Sequence, residues 1–471
     1  MWRWLAPGLR LKRYLAMVGL GLLAVGAAIA LESGEATAPY WAWTRHGDVW
    51  LWALLVGIAI VLVGALQLVR SLAQALDVSE DSLARMLLVR RRGARGPKVV
   101  AVGGGTGLPA LLRGLKEYTA NLTAIVTVAD DGGSSGRLRG AMGMLPPGDL
   151  RNCLVALADA EPLMRELFQY RFKQGELTGH SFGNLFLAAM RETTGDFVTA
   201  LRASSRVLAV RGDVFPATLD SIELVAELAD GSVRRGESVI GQSPERIKRV
   251  WLDPSDATPP VEAVRAILNA DLLVLGPGSL YTSVIPSLLI GPIAEAVRQT
   301  RAATVYVANV MTEPGETSGY SAYDHFKALE DHVGPGVIDA VLINDEPVPE
   351  DVRDRYRASG AEPVGRGTGF PRRVLVVHVP LLEVAGVVRH NSDRVARATL
   401  RLLLRLKPDW ARRRPWEGLM LDQRLRQAQE EDAHGLVPQP RGEGRAQPGR
   451  VETRRGSPRG ADRHPGHAGR R

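Results

Sequence analysis

The feature that most constrains the fold is an alternation of short apolar strands with helical segments from Lys98 to about His390. The predicted strands are runs rich in β-branched and aliphatic residues: Val99–Val102, Thr123–Val128, Leu272–Leu275, Thr304–Ala308 and Val374–Val379. The predicted helices between them include Ala110–Lys116, Leu150–Ala158, Gly183–Arg191 and Pro292–Arg298. This alternation is typical of a parallel sheet covered by helices on both faces, so the sequence predicts a doubly wound, Rossmann-like α/β domain.

In such a fold the ligand binds beyond the carboxyl ends of the strands, so the loop after each strand is a candidate binding segment. The first of these loops consists of Gly103, Gly104, Gly105, Thr106 and Gly107. Glycines let the backbone approach a phosphate, and the free N–H groups of the following helix favour an anion. No Gly-Lys-Ser/Thr follows, which excludes a Walker A loop, whereas the stretch from Gly105 to Ala110 matches the looser dinucleotide pattern. We predict a phosphate site; a tight strand–helix turn is the alternative.

Three aspartates form the second candidate group. Asp130 and Asp131 follow the second predicted strand, where a Rossmann-like fold holds a ribose hydroxyl. The pair could equally hold a hydrated Mg²⁺ beside phosphates. The alternative without a ligand is a simple turn built from Asp, Gly and Ser. Asp149 precedes a predicted helix and could cap it. We therefore take Asp130, Asp131 and Asp149 as candidate catalytic carboxylates, with Asp130 and Asp149 as candidate metal ligands.

Small and polar residues recur in the remaining loops, and this repetition indicates one shared site at the rim of the sheet. The further ligand-binding candidates are Ser134, Ser135, Arg137, His180, Asn184, Gly276, Gly278, Ser279, Thr282, Asn309 and Thr312. His180 stands beside Ser181, but neither a Gly-x-Ser-x-Gly elbow nor a third catalytic member accompanies them. A polar contact with a ligand is therefore favoured over a hydrolase.

Two uncharged apolar runs, residues 15–31 and 49–69, precede the α/β domain. Each approaches the roughly 20 residues that a bilayer core requires, although a cleaved signal peptide is the alternative for the first run. Basic residues precede the first run and follow the second, whereas the intervening loop carries three acidic residues against one arginine. The positive-inside rule then predicts a two-span hairpin over residues 1–70 in the cell membrane. Its N-terminus and the main domain are expected in the cytoplasm.

The formal net charge of +8 belongs mostly to the ends of the chain. Residues 71–97 are predicted to form a juxtamembrane helix over Ser79–Leu88 and a basic linker. Residues 408–471 are rich in Arg, Gly and Pro and are expected to be largely disordered, apart from a short helix at Leu419–Gln429. Because the basic residues are not clustered within the domain, no specific nucleic-acid partner is expected. Cys153 is the only cysteine, which excludes an internal disulfide and a cysteine-based zinc site.

Seven ordered strings resemble the gluconeogenesis factor family (YvcK-type), which is homologous to the 2-phospho-L-lactate transferases. They are Val102–Gly107 (VGGGTG), Val128–Arg139 (VADDGGSSGRLR), Pro146–Arg151 (PPGDLR), Gly179–Asn184 (GHSFGN), Gly276–Ser283 (GPGSLYTS), Asn309–Thr317 (NVMTEPGET) and Arg389-His390. The resemblance covers residues 98–407 and implies a domain that binds a UDP-sugar such as UDP-N-acetylglucosamine, with Arg389 as a contact. The family's Arg-His-Asp signature reads Arg389-His390-Asn391 here, so the role of its carboxylate does not carry over.

The resemblance also implies a role in cell shape and envelope synthesis during growth on gluconeogenic carbon. Envelope-synthesis proteins and a second copy of the chain are then the expected partners. Three functions stay open, in this order of preference. The first is a membrane-anchored regulator that binds a nucleotide sugar without turnover. The second is a metal-dependent phosphoryl or nucleotidyl transferase that uses the three aspartates. The third is an NAD-binding protein, which only the dinucleotide pattern supports.

Overall fold

The computed structural model describes residues 11–32, 49–75, 96–159, 162–243 and 245–433 of the 471-residue chain. The predicted juxtamembrane helix, the loop between the two apolar runs and the tail from residue 434 onward lie outside the described residues. The N-terminal helices are α1 (Leu11–Glu32) and α2 (Val49–Ala75). They are followed by the α/β domain, which the sequence predicts from residue 98.

A seven-stranded parallel sheet forms the centre of the domain. Its strands are β1 (Val99–Gly103), β2 (Leu122–Val126), β3 (Asp213–Pro216), β7 (Leu272–Leu275), β8 (Ala303–Val307), β9 (Ala340–Asn344) and β10 (Leu375–Val379). The order across the sheet is β10-β9-β8-β7-β1-β2-β3, and every neighbouring pair is parallel. The chain therefore builds outward from β1 in one direction and from β7 in the other. This reversal between β1 and β7 is the topological switch point of a doubly wound sheet, and it confirms the predicted α/β fold.

The central strands are buried because helices cover both faces of the sheet. All residues of β1, β7 and β8 are buried, and β1 and β7 are almost unbroken runs of aliphatic residues. Such runs without polar alternation are typical of parallel strands between two helical layers. Sequence patterning therefore located these strands to within one or two residues. The strands that it missed, β3 and β9, are also short and contribute to the same sheet.

The helices of the domain form two layers. They are α3 (Gly107–Leu115), α4 (Gly133–Met142), α5 (Gly148–Leu157), α6 (Pro162–Gln169), α7 (Phe182–Thr194), α8 (Phe197–Val207), α9 (Glu237–Ile240), α10 (Val261–Leu268), a π-helix over Leu280–Val284, α11 (Ile285–Leu288), α12 (Gly291–Gln299), α13 (Ala322–Val333), α14 (Glu350–Ala358), α15 (Ser392–Leu406), α16 (Pro408–Arg413) and α17 (Pro415–Ala433). Helices α3, α5 and α15 pack side by side against one set of strands, whereas α10 to α13 contact one another in a second layer. Both layers leave the carboxyl ends of the central strands free for loops.

Two small antiparallel sheets supplement the parallel one. The first has the order β5-β4-β6, with β4 (Glu223–Leu228), β5 (Val233–Arg235) and β6 (Ile247–Asp253). The second is a hairpin of β11 (Leu382–Ala385) and β12 (Val387–His390), which places Arg389 and His390 next to the main sheet's loops. The sequence analysis predicted none of these strands.

The structure differs from the expected disorder directly after residue 407. Pro408–Arg413 and Pro415–Ala433 are helical, and the helix expected at Leu419–Gln429 lies within the second of them. Trp410 and Leu421 are buried, so apolar contacts stabilise a segment whose composition is otherwise polar and basic. Tertiary burial here outweighs the compositional signal for disorder.

Helices α1 and α2 pack against each other through small residues. Gly21 and Gly57 are buried between them, and a Cβ added at Gly21 would lie 2.9 Å from the carbonyl oxygen of Gly57. Large apolar side chains point outward instead, with Leu23 and Leu62 well over half exposed. This arrangement, with small residues between the helices and large aliphatic residues outside, is the reverse of that in a water-soluble helix pair.

One of these helices meets the requirement for a membrane span. Leu51–Leu68 in α2 is 18 residues long and apolar enough to cross a bilayer, whereas the apolar stretch of α1, Arg13–Ile29, is shorter. Of the two predicted spans, the second therefore passes by length and composition and the first does not. The expected orientation rests on charged residues that mostly lie outside the described parts of the chain.

Candidate functional site

The glycine loops after β1 and β7 are in direct backbone contact at the switch point. A Cβ added at Gly107 would overlap the carbonyl oxygen of Pro277, and one added at Gly278 would lie 3.1 Å from the carbonyl oxygen of Gly104. Gly105 has a φ of +62°, a left-handed conformation that favours glycine. Part of the glycine pattern is therefore explained by loop-to-loop packing, independently of any ligand.

A cleft of about 310 Å³ opens where these loops meet the segment after β8 and the β11–β12 hairpin. The predicted binding residues that line it are Gly105, Thr106, Gly107, Gly278, Ser279, Asn309, Thr312 and Arg389. Three other predicted glycines, Gly103, Gly104 and Gly276, do not line this cleft. Gly103 and Gly276 lie where the two loops pack, since a Cβ at Gly103 would be 3.7 Å from the Cα of Gly276.

The cleft also has lining residues that the sequence analysis did not single out. Val310 and Met311 line it from a buried apolar cluster, against which Tyr356 and Val388 pack. Glu313 lines it from the segment after β8. Tyr356 comes from α14 and belongs to no glycine-rich or polar motif, so no local signal in the sequence could have identified it. Its position depends on how α14 packs beside β12.

The predicted residues on the β2 side of the switch point form a separate hydrogen-bond network. Asn184 Nδ2 donates to Ser134 Oγ at 3.1 Å, and Ser134 Oγ lies 3.0 Å from His180 Nδ1. Arg151 Nη1 donates to Asn184 Oδ1 at 3.0 Å and also to Ser181 Oγ. Because Arg151 occupies the amide oxygen, Asn184 must offer its NH₂ group to Ser134. The Ser134 hydroxyl can then donate to His180, which leaves Nε2 of His180 protonated.

Two arginines close to His180, Arg137 and Arg171, help to keep its imidazole neutral. Partial burial, together with the charges of Arg137 and Arg171, lowers the pKa of His180. Arg137 donates to the carbonyl oxygen of Thr178 at 2.9 Å, so it holds the loop that carries His180. Arg151 is buried, with 8% of its surface exposed, and the sequence analysis overlooked it although it lies within the PPGDLR string. At neutral pH the network presents an N–H donor rather than a base.

Asp149 lies beneath the first glycine loop. Its Oδ2 accepts a hydrogen bond from the backbone N–H of Gly105 at 2.6 Å. The capping alternative is wrong, because α5 begins at Gly148 after Pro147 and no side chain caps it. Burial raises the pKa of Asp149 to about 6, and the charge of Asp130 adds to this shift. The Gly105 N–H and Arg151 oppose it.

The other two aspartates, Asp130 and Asp131, accept hydrogen bonds from backbone N–H groups of nearby segments. Asp130 Oδ1 accepts from the backbone N–H of Gly132 at 2.9 Å, in a turn that starts α4. Asp131 Oδ1 accepts from the backbone N–H of Ser238 at 2.9 Å and so ties the loop to α9. Asp130 lies close to Asp149, since its charge raises the pKa of Asp149 and its Oδ2 would lie 3.4 Å from a Cβ added at the neighbouring Gly148. The structure thus brings two of the three predicted carboxylates together.

Three glutamates extend this acidic region, and none of them is among the predicted site residues. Burial raises the pKa of Glu237 to about 8, and Asp130 is the largest charged contributor. Burial also raises the pKa of Glu316 to about 8, and the neighbouring Glu313 adds to it. Glu316 accepts from Thr282 Oγ1 at 2.8 Å, so the predicted binding residue Thr282 contacts a buried carboxyl group at the π-helix. The site therefore holds more carboxyl groups than it holds cations to neutralise them.

Ser135 and Thr312 are both buried within loop contacts. A Cβ added at Gly148 would lie 2.5 Å from Ser135 Oγ, which places this serine beneath the PPGDLR segment. Thr312 Oγ1 accepts from the backbone N–H of Glu362 at 2.8 Å and so joins the loop after β8 to the loop after α14. Their hydroxyl groups contribute to the walls of the site.

The acidic region fits a divalent cation only in part. Within the described residues, no group of three or more His, Cys, Asp or Glu side chains is arranged to hold a metal ion. Asp130 and Asp149 supply two carboxylates, which is the number that Mg²⁺ commonly takes from a protein when water and substrate phosphates complete its shell. A cation there would also offset the repulsion between Asp130 and Asp149.

The fold and this site define a class: doubly wound α/β proteins with a polar cleft at the β1–β7 switch point and acidic residues beside it. The family model of 2-phospho-L-lactate transferase CofD matches residues 99–374. The chain belongs to this family. The resemblance inferred from the seven sequence strings is therefore confirmed.

Within the family the chain is similar to gluconeogenesis factors. The one from Bacillus subtilis (strain 168) is 49% identical over 316 residues, which cover 65% of this chain and 98% of the relative. A Nostoc sp. relative provisionally designated a gluconeogenesis factor is 46% identical over 429 residues, which cover 85% of this chain and 92% of the relative. That match is longer than the α/β domain alone.

The chain is also similar to a solved structure. The crystal structure of a UPF0052 family member from Bacillus halodurans is 48% identical in sequence, with a TM-score of 0.62. It covers 65% of this chain and 99% of the solved chain. The α/β domain is therefore the part shared with that structure.

The raised pKa of Asp149 makes stability depend on pH. Its folded pKa of about 6 exceeds the value of about 3.9 in an unfolded chain, so the folded state binds the proton more tightly. The stabilising contribution is complete below about pH 4 and is lost as pH rises through 6. We expect Asp149→Asn, which keeps an acceptor for Gly105, to raise the free energy of unfolding by about 1–3 kcal/mol at pH 7.5 and hardly at all at pH 4.

Thermal unfolding of the full chain between pH 4 and pH 8 measures this difference. Asp256→Asn, at an exposed position, is the matched control and should leave the pH dependence unchanged. A difference between Asp149→Asn and wild type that stays constant across this range would contradict the assignment.

Proposed function

We propose that the chain is a membrane-anchored regulator that binds a UDP-sugar, UDP-N-acetylglucosamine foremost, in the switch-point cleft. The observation that carries the proposal is the part of the cleft lining formed by Gly105, Gly107 and Gly278, where no side chain stands between a ligand and the backbone. Thr106 precedes α3 without a capping hydrogen bond, so its hydroxyl and the first N–H groups of the helix are free of a capping side chain. Arg389 adds a cation to the same cleft. N–H groups at a helix start together with a guanidinium are a combination that suits a diphosphate.

Binding without turnover is the preferred role, with the protein reporting the supply of envelope precursors during growth on gluconeogenic carbon. The relatives named gluconeogenesis factor support the metabolic part of this proposal. Envelope-synthesis proteins and a second copy of the chain are the proposed partners. The neutral His180, which offers a fixed donor rather than a general base, also suits a binding role.

Membrane anchoring through both N-terminal helices is part of the proposal. The buried glycines and outward-facing leucines of the α1–α2 pair suit a lipid environment, in which helices associate through close backbone packing. Arg13–Ile29 is at the lower limit of the roughly 17–25 residues that span a bilayer. We propose a hairpin with both ends, and the α/β domain, in the cytoplasm.

A second candidate function is a metal-dependent phosphoryl or nucleotidyl transferase. The pairing of Asp130 with Asp149 favours it, because two carboxylates could hold Mg²⁺ against substrate phosphates. The name of the matching family model, a 2-phospho-L-lactate transferase, is consistent with this chemistry. NAD binding stays third, since only the pattern from Gly105 to Ala110 supports it.

Binding of the UDP-sugar should depend on Arg389. Calorimetry on the detergent-solubilised chain is expected to show binding of UDP-N-acetylglucosamine, weakened about 10–100-fold in Arg389→Ala because a charged hydrogen bond to phosphate is lost. Arg234→Ala, on exposed β5, should bind as wild type does. Absence of heat with every UDP-sugar would contradict the proposal, and tight NAD binding with rejection of UDP-sugars would favour the third function.

The transferase alternative predicts a product that depends on both Mg²⁺ and Asp130. Mass spectrometry of wild type incubated with UDP-sugar, acceptor and Mg²⁺ would then show a transferred group, and Asp130→Asn would abolish it while binding persists. Unchanged substrate in the wild-type reaction would leave the regulator as the better description.

If α1 and α2 form this hairpin, the side of the membrane can be predicted for a reporter placed at each of three positions. A reporter at the N-terminus and one fused after Val69 should both be cytoplasmic, and one between the helices should be outside. An N-terminal reporter found outside would show that α2 alone spans. A reporter after Val69 found outside would overturn the cytoplasmic location of the domain.

A further inference from the structure

We infer that the face of α17 formed by Trp416, Leu419 and Met420 lies on the bilayer that holds the N-terminal helices, with exposed arginines beside it contacting anionic lipid headgroups. These three side chains are called the docking face below. They lie at the edge of the sheet opposite the cleft. The inference rests on the proposed membrane anchoring and does not depend on which ligand the cleft binds.

The chain enters the α/β domain at the amino-terminal edge of the parallel sheet. Lys98 directly precedes β1, and its backbone N–H donates at 2.8 Å to Oδ2 of Asp271, which directly precedes β7. Because the seven strands are parallel, their amino ends share this edge, and their carboxyl ends and the cleft lie at the other. The chain that comes from α2 therefore joins the domain on the side away from the cleft.

Helix α15 returns the chain from the cleft edge to this amino-terminal edge. It begins after His390, whose Nε2 lies 3.1 Å from the carbonyl oxygen of Ala308 at the end of β8. Its 15 residues extend about 22 Å, enough to cross a strand of five residues, which is about 17 Å long. Helix α17 then begins beside the chain entry, because Arg414 Nη1 donates at 3.3 Å to the same Asp271 Oδ2 that Lys98 contacts.

The docking face is an exposed apolar surface on one side of α17. Trp416, Leu419 and Met420 are exposed, and residues three and four apart lie on the same side of a helix. Trp416 is 78% exposed, whereas Trp410 in the preceding helix is 8% exposed. Leu421, on another side of α17, is buried against the domain. An exposed tryptophan beside aliphatic side chains is typical of a helix that lies in the interfacial region of a bilayer.

The contact between α16 and α17 fixes the direction of the docking face. A Cβ added at Gly418 would lie 2.8 Å from the Cβ of Ala411, so a glycine is required for the two helices to approach this closely. Arg414, between the helices, pairs with Asp271 at 3.3 Å and with Glu417 at 3.7 Å. Turning the docking face inward would require these contacts to break.

Exposed arginines lie in the helices that lead to the docking face. Arg405 is in the last turn of α15, and Arg412 and Arg413 are in the last turn of α16. The carboxylates nearest to them in this segment, Asp409 and Glu417, each pair with an arginine. The pair of Arg412 with Asp409 is exposed on both sides, and such pairs are weak. Arginines in this position are attracted to an anionic leaflet.

The anchor makes weak binding by this face sufficient. Residues 76–97 separate α2 from Lys98 and span at most about 80 Å when fully extended. A tether of this length keeps the domain near the bilayer at an effective concentration of about the millimolar range. Three apolar side chains are far fewer than the roughly 20–30 residues a side of a stable protein interface, which favours lipid over a second copy. Docking through this edge turns the cleft toward the cytoplasm.

Fluorescence quenching on the full chain in lipid nanodiscs tests the inference. Cys153 is buried, so a cysteine introduced by Met420→Cys is labelled selectively with a polarity-sensitive dye. In discs of phosphatidylcholine with anionic phosphatidylglycerol, a nitroxide attached to the lipid should quench this label at least about threefold more strongly than one at Asp351→Cys. Asp351 is exposed on α14, the helix that carries Tyr356 of the cleft. Acrylamide, a neutral quencher in water, should give the reverse order.

Further substitutions in the labelled Met420→Cys chain separate the apolar and the charged contributions. Trp416→Ser should lower quenching by the lipid nitroxide at least about twofold, because the largest apolar side chain of the docking face is lost. Arg412→Glu combined with Arg413→Glu should lower it in the anionic discs and hardly in discs of phosphatidylcholine alone. Val233→Ser, at an exposed apolar position on β5, is the matched control and should leave quenching unchanged.

Equal quenching of the two labels by the lipid nitroxide, or no effect of Trp416→Ser, would overturn the inference. Protection from acrylamide without quenching by lipid would also overturn it and would show that a second copy or residues 434–471 cover the face instead. Failure of the full chain to enter the discs would overturn the proposed anchoring as well. Loss of UDP-sugar binding alone would contradict the proposed ligand and leave this inference standing.

Discussion

The backbone contact between the loops after β1 and β7 is the constraint on which the rest of the site depends. Gly107 and Gly278 bring the two loops together closely enough that a side chain on Gly107 would overlap Pro277. This contact leaves Gly105, Gly107 and Gly278 lining one part of the cleft. The same two loops are adjacent only because β1 and β7 are neighbours in the sheet, although about 170 residues separate them.

Asp149 and Arg151 link the cleft to the network on the other side of the switch point. Asp149 holds Gly105 from below, and Arg151, two residues further along α5, orders Asn184 and through it Ser134. Buried carboxyl groups outnumber buried cations here, and burial raises the pKa values of Glu237 and Glu316 to about 8, so both are mostly protonated at neutral pH. A bound phosphate would add negative charge to this region, and Arg389 is the cation that lines the cleft.

The sequence identified the elements of the site better than their roles. Asp149 looked equally like a helix cap, and the structure gives it a different partner, the N–H of Gly105. Thr282 is a predicted ligand contact, and in the structure its hydroxyl donates to Glu316. Arg151 and Tyr356 went unnoticed because their importance comes from residues that are far away in the chain. Local pattern shows that a loop is polar, but not which atoms its side chains meet.

The sequence by itself determined the parallel α/β fold, the places where loops follow strands, and the family. It could do so because aliphatic strand runs and glycine loops are local signals that physical chemistry ties to one backbone geometry. Only the tertiary structure decided that the predicted residues divide between a cleft and a buried network. The same holds for the hydrogen bond from Asn309 to Glu313 and for Tyr356 of α14, which lines the cleft. Strand order and helix packing bring those groups together, and no local pattern encodes contacts between such distant segments.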